Sequence, residues 1–316
     1  MNKKLIAVGV VTAAAGCLCK AAIDGYKEIT AREKKKKSII KRLSEMGDKT
    51  DYSDMIAFTE NKVKWNEQQE TEKISITSER GDLLKGYLTL NKNESNVFVF
   101  FAHGCRTDHN GDPANFMQYY IEKGYNFLSV DHVAQGESGG AYMGYDYFES
   151  IDSLEWLDYL IRRFGQDIKI IIHGVSMGGA TVCQMSDKVP SQVKLAVADC
   201  PYTSALDEFD HVAKSAGVKY TNTILKVINA MNKRFAGYDF KDTDVRNAVK
   251  NAKVPMLFVH GKEDDFVPTG MSIELYEICG NEKELYLVDN AIHAQSIKTD
   301  EVGYHKKLDA FIEKHL

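Results

Sequence analysis

Proline is scarce in this chain: five residues in 316, with two tryptophans and six cysteines. There is no proline-rich, serine-rich or low-complexity tract, which excludes a string of modules on flexible linkers. The cysteines form no CxxC pair and no zinc spacing, so neither a redox dithiol nor a structural zinc site is indicated. Buried free thiols are the expectation for Cys105, Cys183, Cys200 and Cys279. The HExxH signature, a phosphate-cradling GxxxxGK loop and a strand-linked GxGxxG turn are all missing, so no metal and no cofactor is expected.

Positive charge is lacking over most of the chain. Residues 1–42 carry eleven Lys/Arg against three Asp/Glu, a net of +8. The remainder carries 29 basic and 42 acidic residues, a net of −13, and the two parts sum to −5. An acidic body repels phosphate, which argues against nucleic acid as a partner. With 44% hydrophobic and 27% charged residues the composition is that of a globular chain, long enough for a sizeable core.

The basic start needs its own explanation. Lys3 and Lys4 precede LIAVGVVTAAAGCLC, then Lys20 and AAI. As a helix, the run to Ile23 would span roughly 28 Å, close to a bilayer core of about 30 Å. Residues 1–23 are therefore expected to be a hydrophobic membrane anchor or signal-like segment. An uncleaved single-pass anchor is the working expectation. A lipid-modified Cys17, a cleaved signal peptide and a buried helix of a soluble protein stay open. Residues 24–70, basic and then polar, read as a helical linker whose lysines suit either solvent or anionic membrane lipid. The chain is thus expected at a membrane, on a side left open.

From about residue 71 the pattern changes. KISITS and LLKGYLTL, separated by ERGD, read as a hairpin. NVFVFFAHG, YNFLSVD, IKIIIHG, VKLAVAD, VPMLFVHG and ELYLVD are short apolar runs, as for strands buried on both faces. Helix-spaced segments separate them, such as Phe148 to Phe164 with Gly165 closing it. The fold class is α/β: a mostly parallel central sheet with an antiparallel lead-in hairpin and helices on both faces. Between Pro201 and Val254 the alternation lapses, and a helical cap is expected at about residues 202–250. Such sheets bind ligands at the carboxyl ends of their strands. His103, Asp131, Ser176, Asp199, Asp264 and His293 all stand just after apolar runs.

One of these carries a motif. GVSMG places Ser176 between Gly174 and Gly178, after a buried strand and before a helix. A serine on so sharp a turn needs small neighbours, and the turn lifts its hydroxyl clear of the sheet. It also aims the Met177 backbone N–H, at the start of the helix, at a developing oxyanion. A serine hydroxyl needs a base, and the base needs an orienting acid. FVHGKEDDFVP offers Asp264 and Asp265 after a late strand, and LVDNAIHAQS offers His293 after the last one.

With these residues the chain resembles the α/β-hydrolase superfamily, and more narrowly the membrane-anchored bacterial α/β-hydrolases related to serine aminopeptidase and acyl-esterase members. FFAHG, VDHVAQGESGG, HGVSMGGATV, ADCPYTS, VHGKEDDFVP and NAIHAQS carry the resemblance, over roughly residues 70–316. It implies an α/β-hydrolase domain at 71–316 and a serine hydrolase that cleaves esters through an acyl-enzyme, or alternatively an aminopeptidase-like peptidase. A non-catalytic binding protein held at the membrane is the remaining alternative. The resemblance selects Asp264 over Asp265 as the acid and His293 as the base, and makes the Cys105 N–H the second oxyanion donor. Val133–Ala134 stand where members of that family often carry arginine. Tyr202, Phe209 and Phe266 are candidates to line an acyl pocket for a small-molecule ester, with core or cap packing as the competing role.

Overall fold

The computed structural model describes Ile23, Gly25–Lys27, Ile29–Arg32 and residues 53–316. The apolar run before Ile23 lies outside the described residues. Among them, no helix is long and apolar enough to cross a membrane.

Eight strands form one sheet: β1 (Thr71–Thr77), β2 (Leu83–Thr89), β3 (Val97–Ala102), β4 (Asn126–Asp131), β5 (Lys169–Val175), β6 (Val193–Asp199), β7 (Met256–Gly261) and β8 (Lys283–Val288). Their spatial order is β1-β2-β4-β3-β5-β6-β7-β8. The lead-in hairpin pairs Thr71 with Thr89 through Thr77 with Leu83, and β2 also runs antiparallel to β4. Every other pairing is parallel. The apolar runs form the central strands because both faces are covered: all six residues of β4 and of β7 are buried. Strand β8 lies at the sheet edge and is only half-buried along most of its length.

Helices cover both faces. On one side lie α3 (Tyr147–Phe164), α4 (Met177–Met185), α7 (Arg246–Lys250) and α8 (Thr269–Ile278); on the other, α2 (Ala114–Glu122) and α10 (Glu301–His315). The sheet thus separates two apolar cores, one containing Phe98, Phe100, Trp156 and Phe258, the other Phe101, Phe116, Phe127 and Phe311. Trp156 of α3 lies over β2 so closely that a Cβ on Gly86 would approach its ring to 2.8 Å. The preceding α1 (Ser53–Asn66) sits on this body: the Asn66 amide donates to the Ala114 carbonyl at 3.3 Å, and Lys62 pairs with Glu301 at 2.7 Å.

Between β6 and β7 the chain forms α5 (Ala205–Ser215), α6 (Thr221–Phe235), a 3₁₀ turn at Phe240–Thr243 and then α7. The short α9 (Ser296–Thr299) leads into α10. A helical turn around Tyr26 reaches this region from the amino-terminal side. Tyr26 is buried against the rings of Tyr142 and Phe235, and Ala31 bridges Tyr142. The Ile29 carbonyl accepts from the Arg106 guanidinium at 2.8 Å and from the Tyr145 hydroxyl at 2.6 Å.

Candidate active site

Ser176 follows β5 directly and caps α4, with φ 56° and ψ −120°. This is left-handed backbone that an ordinary L-residue avoids, and it persists only where the surroundings enforce it. Here they do so through close approach. A Cβ at Gly174 would lie 2.1 Å from the Gly178 carbonyl oxygen, and one at Gly178 would lie 2.0 Å from that of Ala102. The Ser176 N–H is held by the Asp199 carbonyl at 2.8 Å. The GVSMG spacing therefore seats the β5–α4 turn against β3 and β6, with the serine at the carboxyl edge.

Two loops bring the other groups to that edge. The loop after β7 carries Asp264, 5% exposed. Its Oδ1 accepts the backbone N–H groups of Phe266 (3.0 Å) and Val267 (2.9 Å). Its Oδ2 accepts His293 Nδ1–H at 2.7 Å and His260 Nε2–H at 3.1 Å. Burial opposes ionisation of this carboxyl, but His293 and His260 outweigh it and hold the group well below its ordinary value. The loop after β8 carries His293 between two residues of positive φ, Asn290 and Ala294. It rests on β7 where a Cβ on Gly261 would meet the Ala291 carbonyl at 2.2 Å. The imidazole reaches Ser176 Oγ with Nε2 at 2.9 Å. Burial pulls the imidazole down, and the Asp264 carboxylate more than reverses this, leaving it above its ordinary 6.5.

The three residues singled out from distant parts of the sequence thus form one hydrogen-bonded line, serine to imidazole to carboxylate. Because Nδ1–H donates to Asp264, Nε2 presents its lone pair to the Ser176 hydroxyl. Asp265 does not join this line; its carbonyl accepts His211 Nε2–H at 2.8 Å. Met177 opens α4, so its N–H has no partner within that helix. Cys105 lies on the neighbouring loop, where a Cβ on Gly104 would approach Ser176 Cβ to 3.4 Å. That loop is fixed on both sides of Cys105: Gly104 N–H donates to Asp112 at 2.7 Å and Arg106 N–H to the Gln135 side chain at 2.5 Å.

The remaining sequence candidates separate. Phe266 lies against the imidazole, with ring centroids 4.9 Å apart. Phe209 packs on Tyr145 and Phe240, at 4.8 and 5.2 Å. Tyr202 is buried beside Asp146. His103 and His173 are locked in the interior by the Gly104 carbonyl and by Tyr120 and Tyr304. Asp131 shapes its loop through the N–H groups of His109 and Glu137. Two residues contribute more than their sequence context signals. His260 donates to Asp264 from inside a strand that reads only as apolar. Glu208, on the first turn of α5, has a buried carboxyl that burial pushes up to about 8. Nothing in LDEFD distinguishes that glutamate from its solvated neighbours.

Among the described residues, the grouping able to hold a metal is Cys200, Asp264 and His293, whose ligand atoms lie within 4.8 Å of one another. It uses the relay's own carboxylate and imidazole. Burial pushes the Cys200 thiol up to about 12, so at neutral pH it offers an S–H rather than a thiolate.

The serine aminopeptidase (S33) family model matches residues 93–236, and a serine hydrolase (FSH1) model matches residues 231–293. The two matches, with the fold, support the α/β-hydrolase superfamily and serine hydrolase activity for this chain. Its relatives include the uncharacterized protein YqkD of Bacillus subtilis (strain 168), 25% identical over 314 residues, 99% of this chain and 98% of the relative. Protein bem46 of Schizosaccharomyces pombe is 23% identical over 222 residues, 69% of this chain and 68% of its own. Among solved structures, an esterase of Pyrococcus furiosus superposes with a TM-score of 0.65 at 20% identity, covering 79% of this chain and 93% of that one. An acylaminoacyl peptidase of Pyrococcus horikoshii superposes at 0.56 and 17% identity, covering 84% of this chain and 43% of that one.

Proposed function

We propose that the protein hydrolyses carboxylic esters by acyl transfer through Ser176. His293 Nε2 takes the hydroxyl proton as Oγ attacks the ester carbonyl, then passes it to the departing alcohol. Asp264 holds the tautomer and stabilises the imidazolium. The N–H groups of Met177 and Cys105 receive the oxyanion. Water, deprotonated by the same imidazole, then releases the acid and restores the serine.

The observation that carries this reading is the pair of contacts at His293: 2.9 Å to Ser176 Oγ and 2.7 Å to Asp264 Oδ2. The P. furiosus esterase, matched over 93% of its own length, is compatible with ester chemistry. A fluorophosphonate probe should label the protein, and Ser176→Ala should abolish labelling; a folded wild-type chain that stays unlabelled ends the proposal. p-Nitrophenyl esters should turn over faster than aminoacyl anilides, and the reverse order would transfer the reading to a peptidase.

The apolar run of residues 5–23 and the basic stretch after it support attachment to a membrane, with anionic lipid as the partner of the lysines. The full chain should sediment with membranes, and a chain starting at residue 24 should not. Recovery of both in the soluble fraction would refute the attachment.

A further inference from the structure

Cys105 is followed by Arg106 at φ 61°, backbone that an ordinary L-residue avoids and that persists only where the surroundings enforce it. Two ties on Arg106 lead to residues 29–32. The first is direct: its guanidinium donates to the Ile29 carbonyl at 2.8 Å. The second passes through a neighbouring loop. Arg106 N–H donates to the Gln135 side chain at 2.5 Å, and Ala134 beside it also has φ 61°. Arg32 clasps that loop, donating from its guanidinium to the Gly136 carbonyl at 3.0 Å and to the Ser138 carbonyl.

Residues 29–32 are themselves anchored elsewhere. Thr30 is fully buried; its carbonyl accepts Met143 N–H at 2.9 Å and its hydroxyl donates to the Tyr26 carbonyl at 2.8 Å. Arg32 N–H donates to the Ala141 carbonyl at 2.9 Å. The Tyr145 hydroxyl donates to the Ile29 carbonyl at 2.6 Å, so this one oxygen serves two donors, one for each lone pair. The bond from the guanidinium is charge-assisted and is the stronger of the two. Before Cys105 the loop is held by Asp112 on the Gly104 N–H; after it, the hold runs through Arg106 to this segment. An oxyanion donor works only when preorganised, to within about 0.5 Å of its productive place, so what fixes the loop bears on the rate.

We infer that residues 29–32 form a strap that sets the oxyanion loop, with Arg106 and Tyr145 as positioning residues that hold the Cys105 N–H in place through the Ile29 carbonyl. Both act through Cys105 rather than on the substrate. This rests on the reading above in which the Cys105 N–H receives the oxyanion.

The test compares full-length wild type, Arg106→Leu and Tyr145→Phe in p-nitrophenyl butyrate hydrolysis, with the fluorophosphonate labelling rate of Ser176 in parallel and the urea midpoint as the check on folding. The phosphonyl oxygen occupies the oxyanion site, so labelling reads the same N–H groups. Complete loss of an oxyanion donor costs about 10²–10³ in kcat, and misplacing one through Arg106→Leu should cost about tenfold or more. KM should stay within about threefold, since the contact is made in the transition state. The acid-limb midpoint should not move, since Asp264 and His293 are untouched, and labelling should slow in step with kcat. Tyr145→Phe keeps the ring on Phe209 and Phe240 and should show the same signature at about threefold or more. It decides the matter if Arg106→Leu does not fold. In the deciding variant, kcat and labelling within about twofold of wild type would overturn the inference. So would a raised KM with kcat kept, which makes the residue a substrate contact, or a displaced acid limb, which makes the relay the part disturbed. Wild type that labels but turns over no ester removes the ester reading alone, and the labelling rates then decide the strap.

Discussion

Replacing Asp264 by Asn tests the relay with little change of shape. Oδ1 accepts two backbone N–H groups, from Phe266 and Val267, and the Asn carbonyl keeps both. The loop should therefore persist. Oδ2 accepts from His293 and His260, two donors. The Asn NH₂ that replaces it is itself a donor and cannot satisfy either. The freer of the two rings is His293, since His260 is also held by the Val267 carbonyl at 2.9 Å and Ser272 at 2.6 Å. His293 must then turn its Nδ1 lone pair toward the amide, which places a proton on Nε2 and removes the base from Ser176. Loss of the correct tautomer with geometry intact costs about 10⁴ in kcat, equivalent to roughly 5 kcal/mol of barrier. The assay is p-nitrophenyl acetate hydrolysis with a parallel fluorophosphonate labelling rate, on protein whose urea midpoint confirms folding. A loss below tenfold in a folded variant would refute the reasoning, because Asp264 would then be dispensable for orienting the imidazole.

Three further expectations follow from the same contacts. Asp264 raises His293 above 6.5, and only the neutral ring is a base, so the acid limb of kcat/KM should have its midpoint above 6.5 and activity should fall as pH drops through it; in Asp264→Asn the residual limb should move down, and a midpoint below 6.5 in wild type would contradict the coupling. His260→Phe removes a buried donor to Asp264 and should cost about 2 kcal/mol in urea unfolding and lower kcat, whereas an unchanged midpoint would show that the contact contributes nothing. Gly174→Ala places a methyl 2.1 Å from a backbone oxygen and should destabilise by about 3 kcal/mol or more, read as a lower Tm; a Tm equal to wild type would mean the turn is looser than its geometry.

Much of the site was legible because its turns have obligatory chemistry. The strand-to-helix serine turn demands small residues at fixed offsets, so Gly174, Ser176 and Gly178 announce themselves. The acid was legible through the resemblance alone: VHGKEDDFVP matches that family's late loop and selects Asp264 over Asp265. The hairpin was equally readable, since ERGD separates two alternating runs that pair from Thr71–Thr89 to Thr77–Leu83. His260 and Glu208 were not legible in these roles. A histidine inside an apolar strand and a glutamate on an amphipathic helix have ordinary sequence contexts, and only the fold shows that one donates to Asp264 and the other is buried.

The amino-acid order by itself determined which segments become buried strands, where the chain turns sharply, and which residue types stand at the ends of those strands, because these follow from local hydrophobic period and backbone sterics. The tertiary structure alone decided that residues 176, 264 and 293 meet within hydrogen-bond distance, that His260 shares the carboxylate, and that the Glu208 carboxyl is shut away from water. Those are facts of strand order and loop placement, and through-space distance and desolvation are set by the whole fold.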